Sequence, residues 1–262
     1  MPTLSPALPF ALGAALALAI ALAALRTGSL TRSGAFAAGA VGTATFGALQ
    51  LGGAAILLAF FVSSVGLSRV GKARKRGLVA IGKLGPRDGA QVCANGSVAA
   101  ICALAALALH DPRYTIAFAR AFAAATADTW GTEVGTLVRQ PPRSIFTLRR
   151  VETGLSGGIT WAGTLAEIAG AVFIAGVAWA VGVRAFGAIA LAGVAGALVD
   201  SLAGGSLQSL RWCPTCERRC ETRVHVCGTR TKGLRGLAWI GNDAVNVAAT
   251  LAGAAVAFGF AP

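Results

Sequence analysis

Residues 7–25 read ALPFALGAALALAIALAAL, an uncharged run long enough to cross the hydrocarbon core of a membrane as one helix. Only 13% of the 262 residues are charged, whereas soluble domains carry about 25%, so the composition excludes a soluble protein. Further apolar runs follow, at residues 33–65, 89–109, 114–127, 158–181, 185–205 and 237–260. The sequence therefore predicts a single domain, residues 1–262, folded as an all-α, polytopic transmembrane helix bundle.

The second run, residues 33–65, leaves two alternatives for the number of spans. A turn near Gln50–Gly53 would divide it into two short helices and give eight spans, whereas one long helix would give seven. No basic segment precedes residues 7–25, so we expect a retained span there and not a cleaved signal peptide, although Ala21–Ala24 resembles a cleavage site. The 35 glycines lie within apolar runs, where small residues allow helices to pack closely in a membrane.

The net charge of +13 comes mainly from three loops between apolar runs, at residues 66–87, 136–152 and 211–235. The breaks at 110–113 and 182–184 carry one basic residue each. Because basic loops stay on the cytoplasmic side of a membrane, we expect all three loops there, with an outward C-terminus, in the inner membrane of a cell. This topology accounts for the positive charge, so the expected surroundings are membrane lipids, with no nucleic acid as a partner.

Carboxylates mark the expected site, because an acidic residue inside a membrane domain is costly and is therefore a functional candidate. Five of the ten acidic residues lie where an apolar run meets a cytoplasmic loop: Asp88, Asp128, Glu133, Asp200 and Asp243. The expected catalytic residues are Asp128, Glu133, Asp200 and Asp243. Carboxylate oxygens suit Mg²⁺, so Asp128, Asp200 and Asp243 are also its expected ligands. The alternative is that Asp200 and Asp243 only cap helix ends.

Polar and glycine-rich segments beside these carboxylates predict a site for phosphate groups. The helix openings at 87–92 and 154–158 would present free backbone N–H groups to an anion, although each could instead be a tight turn at the membrane surface. Basic side chains next to carboxylates that suit Mg²⁺ are typical of phosphoryl transfer. The expected contacts to nucleotide and substrate are Lys72, Arg74, Lys75, Arg87, Asp88, Gln91, Asn95, Thr129, Thr132, Ser156, Gly157, Gly158, Thr160, Ser201, Gln208, Asn242 and Asn246. Glu167, inside an apolar run, is interpreted as a hydrogen-bonding group between helices.

A cysteine-rich segment, residues 211–235, predicts a metal site within the last basic loop. Its five possible ligands are Cys213, Cys216, Cys220, His225 and Cys227, and the first two have the spacing of a zinc knuckle. Disulfides are disfavoured in a cytoplasmic loop, so a structural Zn²⁺ with four protein ligands is the preferred interpretation. We expect three of the ligands to be Cys213, Cys216 and Cys227, with either Cys220 or His225 as the fourth. The alternative is a loop of free thiols.

Polar motifs follow one another along residues 60–255. They are Ser63-Ser64, Gln91-Val92-x-Ala94-Asn95-Gly96, Ala127-Asp128-Thr129-Trp130-x-Thr132-Glu133-x-Gly135, Gly157-Gly158-Ile159-Thr160-x-x-Gly163-Thr164, Asp200-Ser201-Leu202-x-Gly204-x-x-x-Gln208 and Asn242-Asp243-x-Val245-Asn246. In this order they resemble the DUF92 integral membrane family, which includes a plant chloroplast phytyl-phosphate kinase. The cysteine-rich loop looks like that of prokaryotic members.

The resemblance implies a kinase that phosphorylates an isoprenoid monophosphate to the diphosphate, with CTP or another nucleoside triphosphate as donor. It implies that the catalytic face is formed by Asp128, Glu133, Asp200, Asn242, Asp243 and Asn246. Two other functions are possible alternatives. A CTP-dependent lipid cytidylyltransferase would use similar metal and substrate groups and would release pyrophosphate. A transporter of a phosphorylated or lipid substrate would also have polar groups and glycine-rich spans within the membrane. The carboxylates cluster at one membrane boundary and not at the midplane, which favours an enzyme.

Overall fold

The computed structural model describes residues 7–71 and 85–259. Within these ranges the chain forms α1 (Ala7–Arg26), α2 (Arg32–Arg69), α3 (Gly89–Leu109), α4 (Pro112–Gly135), β1 (Arg143–Ser144), β2 (Gly158–Ile159), α5 (Trp161–Ala180), α6 (Phe186–Ser206), β3 (Leu210–Cys213), β4 (Arg218–Cys220), β5 (Lys232–Arg235) and α7 (Asn242–Gly259). Five of the described helices (α1, α2, α3, α5 and α6) are long and apolar enough to cross a membrane. The predicted transmembrane helix bundle is confirmed.

The second helix, α2, is a hairpin of two arms, residues 32–49 and 51–69. A straight helix of its 38 residues would be about 57 Å long, yet both of its ends lie beside Ser29. The Oγ of Ser29 accepts a hydrogen bond from Arg69 Nη2 at 2.9 Å, although α2 begins only three residues after Ser29. Gln50 interrupts the helix with φ 50° and ψ −138°. Of the two alternatives that the sequence left open, the turn near Gln50–Gly53 is therefore the one present, and the described chain has eight helical segments.

The hairpin divides the connections of the bundle between two ends. One end, called here the basic end, carries the segments 27–31, 136–160 and 207–241, together with the described parts of the loop between α2 and α3. At the other end, called here the opposite end, the described residues form only the short turns at Gln50, 110–111 and 181–185. The described parts of the three predicted basic loops therefore lie at one end of the bundle.

The central element is α4, whose residues 117–127 are all buried. It packs against α2, α3, α5, α6 and α7. Glycines on the neighbouring helices allow this enclosure: a Cβ on Gly193 would lie 2.9 Å from the Ala123 Cβ, and one on Gly253 would lie 2.9 Å from the Ala124 Cβ. Because other helices surround it, α4 needs no lipid-facing surface and can carry charged residues. One of them, Arg120, is buried, and its Nε and Nη1 have no hydrogen-bond partner among the described residues.

Two small antiparallel sheets lie at the basic end. In the first, β1 pairs with β2, so the segment after α4 is connected to the segment that leads into α5. The second has the strand order β4-β3-β5 and occupies residues 210–235, which the sequence analysis treated as a loop. The first sheet contacts α6 through β2, and the second begins four residues after α6 ends.

The hairpin predicts where introduced cysteines react. We expect Gln50→Cys and Arg184→Cys to react with a membrane-impermeant maleimide in intact cells, because both positions are exposed at the opposite end. Thr27→Cys, exposed at the basic end, should react only after the membrane is permeabilised. The measurement is labelling above the background of the wild-type cysteines. Labelling of Gln50→Cys from the same side as Thr27→Cys would contradict the hairpin in the membrane.

Candidate functional site

Two carboxylates from different helices meet at the basic end of the bundle. Asp128 follows the buried stretch of α4, and Asp200 lies in the last two turns of α6. Their side chains are within hydrogen-bonding distance of each other. Two ionised carboxylates cannot stay in contact, so this pair needs either a shared proton or a cation between its oxygens. The structure thus brings together two of the residues that the sequence predicted as catalytic.

A third helix contributes an amide to this pair. Asn246, in the second turn of α7, is buried. In the orientation that satisfies both ends of its amide, the nitrogen donates to Asp200 Oδ1 at 3.0 Å and to the Asn242 carbonyl oxygen at 3.2 Å. The hydrogen bond holds the Asp200 carboxylate in place. Together these three side chains, from α4, α6 and α7, are called the carboxylate site below.

Glu167 of α5 lies beside the carboxylate site. Its carboxyl group is close enough to those of Asp128 and Asp200 to interact with them electrostatically. Room for the Glu167 side chain exists because Gly131 has none: a Cβ at that position would lie 2.7 Å from Glu167 Oε1. From the sequence, Glu167 is interpreted as a hydrogen-bonding group between helices, and its position beside the carboxylate site was not predicted. The available signal was its charge within an apolar run, combined with a glycine one turn after Asp128.

Glu221 is the second residue that the sequence analysis missed. It follows strand β4, and its carboxylate accepts hydrogen bonds from Ser156 N at 2.7 Å, Ser156 Oγ at 3.0 Å and Gln208 Nε2 at 2.7 Å. Burial raises the pKa of this carboxyl group, whereas the hydrogen bonds from Ser156 oppose that rise. The segment predicted to bind a phosphate at 154–158 therefore binds a carboxylate of the protein itself. Glu221 also lies close enough to Asp200 to act on its charge.

The glycines of this segment have a packing role. Gly157 has φ 76°, and a Cβ there would lie 2.7 Å from Gly205 N and 3.2 Å from the Ser201 carbonyl oxygen. The segment therefore lies directly against the backbone of α6. Gly158 belongs to β2, and Thr160 caps α5 by accepting a hydrogen bond from Gly163 N at 3.0 Å. This geometry is that of the tight turn that was the alternative to a phosphate site.

The opening of α3 contains a reciprocal cap. The Asp88 side chain accepts from Gln91 N at 2.9 Å, and Gln91 Oε1 accepts from Asp88 N at 3.1 Å. Asn95 donates to the Gln91 carbonyl oxygen at 3.0 Å. Asp88 and Gln91, predicted as substrate contacts, thus stabilise the start of α3. Arg87 lies just before this cap, and its guanidinium is 5.9 Å from the centroid of the Phe60 ring. It is also close enough to the Glu133 carboxylate for the two opposite charges to attract.

The remaining predicted residues are distributed around the basic end. Asp243 lies on the wall of a cavity of about 350 Å³ that is also lined by Arg211, Glu221 and Arg223. Asp243 does not join Asp128 and Asp200 in a ligand set, because the group of three or more possible metal ligands that comes together among the described residues is in the cysteine-rich segment. Thr129 donates within its own helix, Thr132 and Asn242 are exposed, and Ser201 follows Asp200 on α6. Lys72, Arg74 and Lys75 lie outside the described residues.

The cysteine-rich segment brings four possible metal ligands together. Ligand atoms of Cys213, Cys216, His225 and Cys227 all lie within 4.8 Å of one another. The Sγ atoms of Cys213 and Cys227 are 3.6 Å apart, and His225 Nδ1 is 3.2 Å from Cys227 Sγ. Cys220, the other predicted candidate for the fourth position, lies outside this group and is buried. We call Cys213, Cys216, His225 and Cys227 the thiol cluster.

One thiol of the cluster, Cys227, has a lowered pKa, which favours the thiolate form that binds metal ions. Hydrogen bonds from Thr229 and His225 lower the pKa of Cys227 to about 5. The neighbouring thiols raise the pKa of Cys216 to about 11. A metal ion binds the thiolate, so Cys227 is in the binding form at neutral pH, whereas Cys216 would release a proton when a metal binds.

Comparison with known proteins gives consistent relatives along most of the chain. Protein PGR of Arabidopsis thaliana is 30% identical over 226 residues, which cover 75% of this chain and 77% of that protein. An uncharacterised membrane protein of Methanocaldococcus jannaschii is 37% identical over 158 residues, covering 57% of this chain and 62% of that protein. One of Synechocystis is 27% identical over 226 residues, covering 84% and 78%.

No solved structure matches this chain significantly. The sequence profile described as "Integral membrane protein DUF92" matches residues 15–254, a range that contains all the helices named above in whole or in large part. The matched range also includes the carboxylate site and the thiol cluster. The chain therefore belongs to the DUF92 family of integral membrane proteins.

Proposed function

We propose that the protein is a membrane-embedded kinase that transfers the γ-phosphoryl group of CTP, or another nucleoside triphosphate, to an isoprenoid monophosphate. The observation that carries this proposal is the contact between Asp128 and Asp200. A carboxylate pair of this kind needs a cation or a proton, and phosphoryl transfer needs a divalent cation at the phosphate oxygens. The resemblance of the polar motifs to those of a plant phytyl-phosphate kinase supports the isoprenoid acceptor.

The carboxylate site has the donor set that Mg²⁺ prefers. Its ligand atoms are carboxylate oxygens, and one or two carboxylates plus substrate phosphates are the usual protein environment of this ion. Asp128 and Asp200 would hold Mg²⁺, and Asn246 would orient Asp200. When bound, the ion would supply charge neutralisation for the phosphate groups.

The acceptor can be its own nucleophile. A phosphate oxygen of the isoprenoid monophosphate forms a bond to the γ-phosphorus, the bond between that phosphorus and the β,γ-bridging oxygen breaks, and the nucleoside diphosphate leaves. The attacking oxygen is already an anion, so no general base is required. This agrees with the positions of the two histidines, because His110 caps α3 at the opposite end and His225 belongs to the thiol cluster.

We infer that the basic end faces the cytoplasm, where nucleotides are available. The support is the concentration of arginine in the segments at this end, which the positive-inside rule assigns to the cytoplasmic side. In this orientation the carboxylate site lies at the inner boundary of the membrane, within reach of both a soluble nucleotide and a lipid substrate.

Neutralising one carboxylate of the pair should lower the activity without lowering the stability of the protein. We expect Asp128→Asn to lower transfer of ³²P from the γ-position of CTP or ATP to geranylgeranyl or phytyl monophosphate by about a hundredfold or more, a loss typical of removing one electrostatic contact in an active site. Without Mg²⁺ the same variant should melt at the wild-type temperature or above, because the substituted pair no longer needs a shared proton or a cation.

Asp111→Asn is the matched control. Asp111 caps α4 at the opposite end, where an asparagine can accept the same hydrogen bond from Arg113 N. This variant should keep wild-type turnover. Unchanged turnover in Asp128→Asn and Asp200→Asn would exclude the proposed site. Release of pyrophosphate with a CDP-linked lipid would instead identify a cytidylyltransferase, and substrate transport without nucleotide turnover would identify a transporter.

We also propose that the thiol cluster binds a structural Zn²⁺. Three sulfur atoms and one imidazole nitrogen are a common tetrahedral zinc set with no open position. Such an ion would join β3 to the segment after β4 and so fix the position of Glu221, which hydrogen-bonds Ser156. The proposed role is therefore to hold the cysteine-rich sheet against the start of α5 and the end of α6.

Zinc content distinguishes the two possible fourth ligands. We expect about one zinc ion per chain in the purified wild type and in Cys220→Ser, and a loss of zinc in Cys216→Ser and His225→Ala. Cys220→Ser is the matched control, because Cys220 belongs to the same sheet but lies outside the thiol cluster. The measurement is inductively coupled plasma mass spectrometry. Zinc retained in His225→Ala but lost in Cys220→Ser would reverse the assignment.

A further inference from the structure

An apolar cavity of about 230 Å³ lies between α1, the two arms of α2, α3 and α4. Its walls are aliphatic and aromatic side chains with several glycines, including Ala17, Phe46, Leu57 and Leu58. Its lining also includes Arg87, Gln91 and Asn95. These three polar residues lie in or just before the first two turns of α3, which begins at the basic end. The cavity is therefore apolar along most of its length and polar at one end, which is called the mouth below.

The cavity extends along the helix axes towards the opposite end. On the first arm of α2 its lining includes Ala38 and Phe46, eight residues apart, which corresponds to about 12 Å along a helix. On the second arm it includes Leu51, next to the turn at Gln50. Leu16 of α1 and Leu51 line the cavity and are 49% and 76% exposed, so the cavity opens sideways to the surrounding membrane.

The polar mouth adjoins the carboxylate site through α3 and α7. Thr250 Oγ1 donates to the Ala94 carbonyl oxygen at 3.3 Å, and Ala94 precedes Asn95 of the mouth. Thr250 lies one turn after Asn246, the residue that donates to Asp200. Arg87 of the mouth is also close enough to Glu133 for their opposite charges to attract, and Glu133 lies five residues after Asp128 on α4. A phosphate group at the mouth would thus lie at the same end of the bundle as the proposed reaction centre.

We propose that this cavity binds the hydrocarbon chain of the phosphorylated lipid substrate, with the phosphate at Arg87. The proposal rests on the proposed function for the identity of the reaction, but its geometry is independent of it. An apolar, laterally open cavity accepts a chain directly from the bilayer, since transfer between two apolar environments requires no desolvation of the chain. A guanidinium at one end matches an anionic head group. A cavity of about 230 Å³ has room for part of one hydrocarbon chain, with the rest of the chain in the lateral opening, and it has no room for a second chain. We therefore commit to a single-chain prenyl phosphate over a two-chain phospholipid.

The first test measures binding without nucleotide, for prenyl phosphates of ten and twenty carbons. Ala54→Phe fills the part of the cavity next to the turn at Gln50, so it should weaken binding of the longer ligand by about tenfold or more and leave the shorter ligand unchanged. Ala38→Phe, nearer the mouth, should weaken binding of both ligands. Ala40→Phe is the matched control, because Ala40 lies on the same arm but is exposed and does not line the cavity.

The head group is tested separately. Arg87→Gln should weaken binding of the twenty-carbon monophosphate by about tenfold, the effect expected for one charge-assisted contact, and should leave binding of the corresponding alcohol unchanged. In the wild-type protein, a diazirine on the terminal carbon of the chain should label the region of Phe46 and Leu51. This labelling requires no variant, so it also tests the proposal if a substitution prevents folding.

The outcomes separate this inference from the kinase proposal. Two results would overturn the cavity assignment even if the protein transfers phosphate. One is equal binding of the twenty-carbon ligand in all three Ala→Phe variants. The other is labelling on α5 and α6 instead of α1 and α2. If the variants show the expected binding pattern but the protein turns over no nucleotide, the assignment of the cavity would be supported and the proposed kinase activity would be excluded. Equally tight binding of phosphatidic acid, with the same response to the variants, would contradict the single-chain ligand.

Discussion

Carboxylates can meet inside a membrane domain only where protein surrounds them, and the enclosure of α4 by its neighbours provides that environment. The enclosure depends on backbones that approach without intervening side chains. On the α5 side, a Cβ at Gly163 would lie 3.0 Å from the Gly131 carbonyl oxygen, and one at Gly170 would lie 3.1 Å from the Thr126 carbonyl oxygen. Small residues at helix contacts are the usual means of close packing in lipid. The high glycine and alanine content is therefore the condition for the polar site.

The bundle and the position of its charges follow from the sequence because both depend on local composition. An uncharged run such as residues 7–25 can be recognised as a span without knowledge of its contacts. The charges of the loops then indicate which helix ends lie on the same side of the membrane. The hairpin in α2 is different, because residues 33–65 have the same hydropathy whether they form one helix or two. Only tertiary contacts, such as the hydrogen bond between Arg69 and Ser29, distinguish these alternatives. For this reason the sequence predicted the bundle but left seven or eight spans open.

Part of the candidate site was predictable, because a carboxylate beside an apolar run is energetically unfavourable in a membrane and can be recognised from the sequence alone. Asp128 and Asp200 border apolar runs, and their contact joins residues that the sequence identified separately. Glu221 gave no such signal, because it lies in a charged loop and its partner Ser156 is 65 residues away. Conversely, the glycine-rich segment before α5 looked like a phosphate site from its composition. Its glycines pack on α6, and its free donors bind the Glu221 carboxylate.

If the carboxylate site binds a cation as proposed, the absence of side chains at Gly193 and Gly253 bears on which ion it selects. These glycines set the separation of α6 and α7 from α4, and hence the distance between Asp128, Asp200 and the amide that orients Asp200. Mg²⁺ binds oxygen at about 2.0–2.1 Å and Ca²⁺ at about 2.3–2.6 Å, so a change of a few tenths of an ångström in helix spacing is comparable to the difference between the two ions. The discrimination between a smaller and a larger cation would then reside in apolar residues that never touch the ion.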